Sequence, residues 1–197
     1  MSAPTLWTCE PSLTRWCSPG CSGCSPSTCP PDQYLEYRGI HRETKEVVQE
    51  FFTVDAVEEL AVASHRHADV FDCYFGICPR IRPQGRKEDV THAPGLWVDL
   101  DWKRFEEGEA GALRNLATFA LPPTWIIATG GGYHLYWQLT EAVRADAGFE
   151  GRLKAIAKTL NADPAATDRS RVFRVPGSFN FKYQPEPQVR ILRWPTP

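Results

Sequence analysis

No apolar run in the 197-residue chain approaches the roughly 18 residues that a membrane-spanning helix requires, so no membrane partner is expected. Met1 to Gly20 lacks a basic stretch followed by an apolar one, which argues against a secretory signal and for a cytoplasmic location. Neither sign of charge dominates: 22 Lys and Arg stand against 24 Asp and Glu, a net of −2 that by itself predicts no polyanionic partner. No segment repeats, which excludes solenoid architectures. What is present is apolar mass. With 42% hydrophobic and 12% aromatic residues, the chain can build a core, and global disorder is excluded. The length suits one domain, or one with a small appendage. Charge is unevenly spread. Residues 152–197 hold nine Lys and Arg and three Asp and Glu, a local +6 that leaves −8 for residues 1–151. A basic C-terminal quarter facing an acidic remainder suits a site that holds both cations and phosphates.

Five of the seven cysteines lie in the first 29 residues, and the first 31 residues hold six prolines, many serines and few aliphatic residues. Such a segment cannot bury enough apolar surface to offset its ordering entropy without a cross-link. Disulfides would need an oxidising compartment, which nothing else in the sequence suggests. Cys17, Cys21, Cys24 and Cys29 have the number and compactness for a Zn²⁺ knuckle, although their spacing departs from two CxxC arms. Residues 1–32 are therefore expected to be a flexible leader or a zinc knuckle, and residues 33–197 the globular domain. Cys73 and Cys78 sit in an apolar stretch and read as core thiols.

From Gln33 onward the pattern is globular. Tyr34–Ile40 and Glu46–Phe52 read as a hairpin, residues 55–65 as a helix, and Asp69–Ile77 as a buried strand running into a basic loop. The stretch Gly95–Trp102 predicts another strand, and residues 109–120 a helix ended by Pro122-Pro123. Trp125–Thr129 and Tyr133–Leu139 flank three glycines as a second hairpin. Residues 145–161 set Phe149, Leu153, Ile156, Ala157 and Leu160 on one helical face. The remainder is an Arg-, Pro- and Gly-rich loop and a closing strand near Val189–Trp194. Helices alternating with strands and interposed hairpins predict an α+β, or mixed α/β, domain.

Three segments carry chemistry. In Trp97-Val98-Asp99-Leu100-Asp101-Trp102, residues two apart on a strand share a face about 6–7 Å apart, so Asp99 and Asp101 point together. Paired carboxylates repel unless one is protonated or a cation lies between them, and hard oxygen donors select Mg²⁺ or Mn²⁺. A solvated strand face is the alternative. In Thr129-Gly130-Gly131-Gly132-Tyr133-His134, the glycines allow a tight reversal whose backbone N–H groups suit phosphate oxygens, and His134 opens the next strand. Two glycines suffice for the turn, so the third suggests close approach by a ligand. A hairpin tip with a surface histidine is the alternative. Residues 167–182 concentrate Asp168, three arginines, a Pro-Gly turn, Asn180 and Lys182. Arg171 and Arg174 are able to clamp a phosphate bidentately, Lys182 acts as a point charge, and Asp168 is able to complete a metal site. The alternative here is a solvated basic loop. Together the segments supply the parts of divalent-metal nucleotidyl transfer.

In order and spacing, LWVDLDW, TGGGYHLYW and DRSRVFRVPGSFNFK, with YFGICPR ahead of them, resemble the motifs of the archaeo-eukaryotic primase superfamily, and particularly the small primase-polymerases of plasmids and phages. The likeness covers about residues 34–194. It implies a core in which an α/β unit and an RRM-like unit form a cleft. It also implies that Asp99, Asp101 and Asp168 bind the metal ions and that His134, with Gly131 and Gly132, contacts the incoming nucleotide. Arg174 and Lys182, with Arg171 and Arg80, would neutralise phosphates. Asp163 competes for the third acidic position, but Asp163-Pro164 reads as a structural turn, which favours Asp168. The helicase domain and helical primer-binding extension of larger relatives are not found, so a separate helicase is an expected partner.

The expected function is thus a template-dependent DNA primase or polymerase of a mobile-element or phage replication system. It would add NTPs or dNTPs to a primer on single-stranded DNA with release of pyrophosphate. A non-catalytic replication protein that grips strands or nucleotides, with Tyr133, Tyr136 and Phe179 stacking on bases, is the second reading. A DxD sugar-nucleotide transferase is the third, and it leaves the arginine-rich segment unused.

Overall fold

The computed structural model describes residues 32–192; the cysteine cluster Cys17, Cys21, Cys24 and Cys29 lies outside them. Among the described residues the architecture is mixed α/β, with two four-stranded antiparallel sheets and three α-helices. No described helix is long and apolar enough to cross a membrane.

The first sheet comprises β1 (Tyr34–His41), β2 (Val47–Thr53), β3 (Phe71–Gly76) and β7 (Val172–Arg174), in the order β2-β1-β3-β7. Period-two alternation decides its faces. Leu35 and Tyr37 of β1 and Phe71 and Cys73 of β3 pack with Val57, Leu60 and Ala63 of helix α1 (Val57–Arg66). The opposite face carries a cross-strand row, Arg38–Tyr74–Arg174, contributed by β1, β3 and β7. Strand β7 was not expected. Its Arg-rich, Pro- and Gly-flanked sequence reads as loop, but Phe173 lies opposite Phe75 and pins three residues to the edge of β3.

The second sheet is ordered β4-β6-β5-β8, from β4 (His92–Asp101), β5 (Trp125–Ala128), β6 (Gly132–Arg144) and β8 (Arg190–Leu192). Its Val98, Leu100, Ile126, Tyr133, Leu135 and Trp137 bury against α2 (Gly108–Ala117) and the end of α3 (Ala147–Thr159). Helix α3 starts where Asp146 accepts the Phe149 N–H at 3.0 Å, and its apolar face is the one the sequence periodicity marks. Helix α2 stops at Ala117, before the Pro pair, because the Thr118 hydroxyl closes on the Asn115 carbonyl at 2.7 Å and Phe119 turns to meet Trp137. β6 runs longer than expected: beyond a register shift between Ala93 and Gly95, its polar end pairs again with the start of β4. Cys73 and Cys78 are both fully buried.

The candidate active site between the sheets

A cavity of about 280 Å³ lies between the two sheets. Strand β4 gives it Asp99 and Asp101, which share one face as the alternation requires, and β6 gives it His134, directly opposite Asp99 in register. The facing wall is the Arg38–Tyr74–Arg174 row. Arg171, Lys182 and Tyr183 come from the segment around β7. Four cations thus face two carboxylates across one space.

The Asp99 carboxyl is pushed up to about 7, first by burial, then by the Asp101 and Asp163 carboxylates; Arg171 and Lys103 oppose the shift. Asp101 meets Lys103, whose ammonium lies 2.8 Å from Oδ2 and which sequence reasoning missed. Asp163 rather than Asp168 is the further acid near this pair. Its backbone N–H donates to the Asp99 carbonyl at 2.8 Å, while its side chain accepts from the Ala165 N–H at 3.0 Å and so makes the expected turn. Asp168 accepts from the Ser170 N–H at 3.1 Å and hydroxyl at 2.6 Å and lies 3.8 Å from Arg171; neither it nor Asp163 is among the described residues lining the cavity. Among the described residues no three of His, Cys, Asp and Glu converge to ligate one ion. The pair Asp99 and Asp101 nevertheless fits Mg²⁺ or Mn²⁺. Hard cations of this kind are commonly held by one or two carboxylates and complete their shell with water and substrate phosphates. Burial raises the Asp99 carboxyl first and the neighbouring carboxylates raise it further; a cation would relieve that second contribution.

His134 is buried, with its ring stacked on Phe173 at a centroid distance of 4.0 Å. Burial, then Arg174 and Arg171, push it down to about 3, so the imidazole is neutral at pH 7, and its buried Nδ1 has no hydrogen-bond partner among the described residues. Arg174 is fixed by an ion pair with Asp72 and lies over the Tyr74 ring at 5.0 Å. Arg171 donates to the Ala165 carbonyl. Asn180 ties the segment to the glycine turn, donating to the Thr129 carbonyl at 2.7 Å.

Several expectations need correction. Arg80 does not reach the cavity. It is fully buried and pairs with Glu36 through Nε at 3.1 Å and through Nη2, and it also holds the Ser170 carbonyl at 3.1 Å. Tyr133 and Tyr136 are core residues, which leaves Phe179, at 36% exposure, as the accessible ring of the three. The third glycine is demanded by the chain itself: a Cβ on Gly132 would lie 2.6 Å from the Leu100 carbonyl oxygen. Gly130 has φ +83, and the space above Gly131 holds the Tyr183 hydroxyl. Arg38, a cavity residue, was not singled out from sequence, because a charge on a strand reads as a solvated position.

No family model matches the chain. A replication protein of Clostridium perfringens is 30% identical over 111 residues, 51% of this chain and 27% of that protein, so the chain spans about a quarter of that relative's length. Likeness in three dimensions extends further. The AEP domain of the cyanophage S-2L primase-polymerase (PrimPol) matches with a TM-score of 0.59 at 17% identity, covering 81% of this chain and 80% of that one. Primase RepB′ matches at 0.56 and 17% identity, over 82% of this chain and 51% of that chain. The catalytic domain of RepB′, solved with initiator DNA, matches at 0.53 and 18% identity, over 81% and 76%. With two antiparallel sheets meeting at a cleft and three helices among the described residues, the chain has the fold of the AEP domain of the cyanophage S-2L primase-polymerase and of the catalytic domain of primase RepB′.

Proposed function

We infer that the protein is a template-dependent nucleotidyltransferase of the primase-polymerase kind, serving a mobile-element or phage replication system. It joins NTPs or dNTPs to a 3′-hydroxyl with release of pyrophosphate. The observation that carries this reading is the opposition, within one cavity, of the Asp99–Asp101 pair to Arg38, Arg171, Arg174 and Lys182. A site built only to grip a polyanion gains nothing from two carboxylates facing it.

Asp99 and Asp101 would hold Mg²⁺ or Mn²⁺, with Asp163 adding negative charge to the site. The bound cation supplies Lewis acidity that makes the attacking hydroxyl a better nucleophile and stabilises charge on the phosphates. The chain's own part is positioning and electrostatics. Arg174, braced by Asp72 and Tyr74, and Arg171 and Lys182 balance the triphosphate. Neutral His134 offers one ring nitrogen to a phosphate oxygen without adding a charge that the metal side would repel.

The test is primer extension on a single-stranded template with Mg²⁺ or Mn²⁺. Asp99→Ala combined with Asp101→Ala is expected to lower incorporation by at least about a hundredfold, as loss of a charge-stabilising group does. Chelation with EDTA abolishes it, and strand binding survives both treatments. A wild-type protein that binds strands yet incorporates nothing with either metal would establish a binding module instead.

A further inference from the structure

The fully buried pair Glu36–Arg80 has no reacting group to serve, yet it sits directly behind a cavity residue. Four donors converge on Glu36: Nε and Nη2 of Arg80 on one oxygen, Gln49 Nε2 at 2.7 Å and Arg38 Nη2 on the other. The charges do not cancel. One carboxylate stands against two guanidiniums, and Arg80, with no exposure, already neutralises it. Arg38, the outer member at 28% exposure, therefore presents a surplus positive charge to the cavity while its guanidinium is held in place. The loop after β3 closes over this network at Gly85, where a Cβ would lie 3.0 Å from Arg38 Nη2.

We propose that Arg38 is a phosphate-binding residue for the polynucleotide strand, oriented by Glu36 and Arg80. This rests on the nucleotidyltransferase reading and adds a strand contact to it. The strand rather than the nucleotide is indicated by position. Arg38 and Arg174 are separated by two interstrand steps, about 10 Å, along the row Arg38–Tyr74–Arg174. Arg174 lies beside His134 and Arg171, the group proposed to balance the triphosphate. Arg38 stands at the far end of the same wall and answers a different phosphate.

The full chain is titrated by fluorescence anisotropy against a labelled oligothymidylate across 50 to 200 mM salt, and by calorimetry against dATP with Mn²⁺. In Arg38→Gln the strand affinity falls severalfold and the slope of log K against log salt becomes shallower by about 0.7, the value of one lost single-strand phosphate contact. Arg38→Lys recovers most of that slope, and in both variants nucleotide affinity changes by less than strand affinity. Matching thermal melts establish that Arg38→Gln is folded; if that variant melts early, the comparison of Arg38→Lys with wild type decides, since a slope lost despite the retained charge refutes a phosphate contact. Strand binding and slope unchanged in Arg38→Gln overturn the assignment alone, as does a loss confined to the nucleotide arm. A wild-type protein that binds no strand overturns it together with the reading beneath it.

Discussion

Arg38 and Arg80 bear the same charge and bond the same carboxylate, and burial alone separates what each does. Removing one partner of a buried pair strands the other, at a cost of about 3–5 kcal/mol. Arg80→Met leaves Glu36 its bonds from Gln49 and Arg38, so urea melts are expected to show a loss of up to that amount. A surface phosphate ligand would leave stability near wild type. A second expectation concerns Asp99. Its carboxyl is raised from 3.8 to about 7, so between those values the folded state carries a proton that the unfolded state has released. Stability of the metal-free protein then falls as pH rises from about 4 to about 7. Thermal melts in EDTA at pH 5 and pH 8 should show the loss, and Asp99→Asn should flatten it. At this scale strand alternation made the shared face of Asp99 and Asp101 legible in the sequence. The choice between Asp163 and Asp168 was not legible, because it depends on the path from α3 to β7. Arg38 was hidden for another reason: only the burial of Glu36 and Arg80 distinguishes it from a solvated strand residue.

Among the elements, the glycine hairpin between β5 and β6 assigns each residue a different neighbour. A methyl group on Gly132 meets the Leu100 carbonyl oxygen, which belongs to the backbone of β4 and cannot yield without shifting the strand that carries Asp99 and Asp101. A methyl group on Gly131 meets the Tyr183 hydroxyl, the far end of a side chain that is able to rotate. Gly132→Ala is accordingly expected to cost about 1–3 kcal/mol, the range of overpacking, and to reduce incorporation, while Gly131→Ala costs less. Chemical denaturation of the two variants checks the order. The eight-residue β1 was readable from sequence, as was α3 from the spacing of Phe149, Leu153, Ile156, Ala157 and Leu160, although its Asp146 cap was not singled out. The three-residue β7 was not, since its existence depends on a partner about a hundred residues away in β3 rather than on local propensity.

For the whole molecule, the decisive feature is that the cavity belongs to neither sheet. Carboxylates and imidazole come from the second sheet, and the Arg38–Tyr74–Arg174 wall comes from the first, so a ligand that engages both ties them together. Composition announced the opposition of charges, with a local +6 at the C-terminal end, but not that β7 would deliver Arg174 to the other sheet. A nucleotide without metal has phosphates for the cations and nothing to relieve Asp99 and Asp101; a metal without nucleotide touches one wall. The two together should therefore stabilise the fold by more than the sum of each alone. Binding to the native state at a hundred times Kd contributes about 2.7 kcal/mol. At roughly 2–4 °C per kcal/mol for a domain of this size, the melting temperature should rise by roughly 5–10 °C with dATP and Mn²⁺ together. Asp99→Asn with Asp101→Asn should keep only the nucleotide's own share. Additive shifts in the wild type, or a full shift in the double variant, would separate the metal from the nucleotide and place the acidic pair outside the binding event.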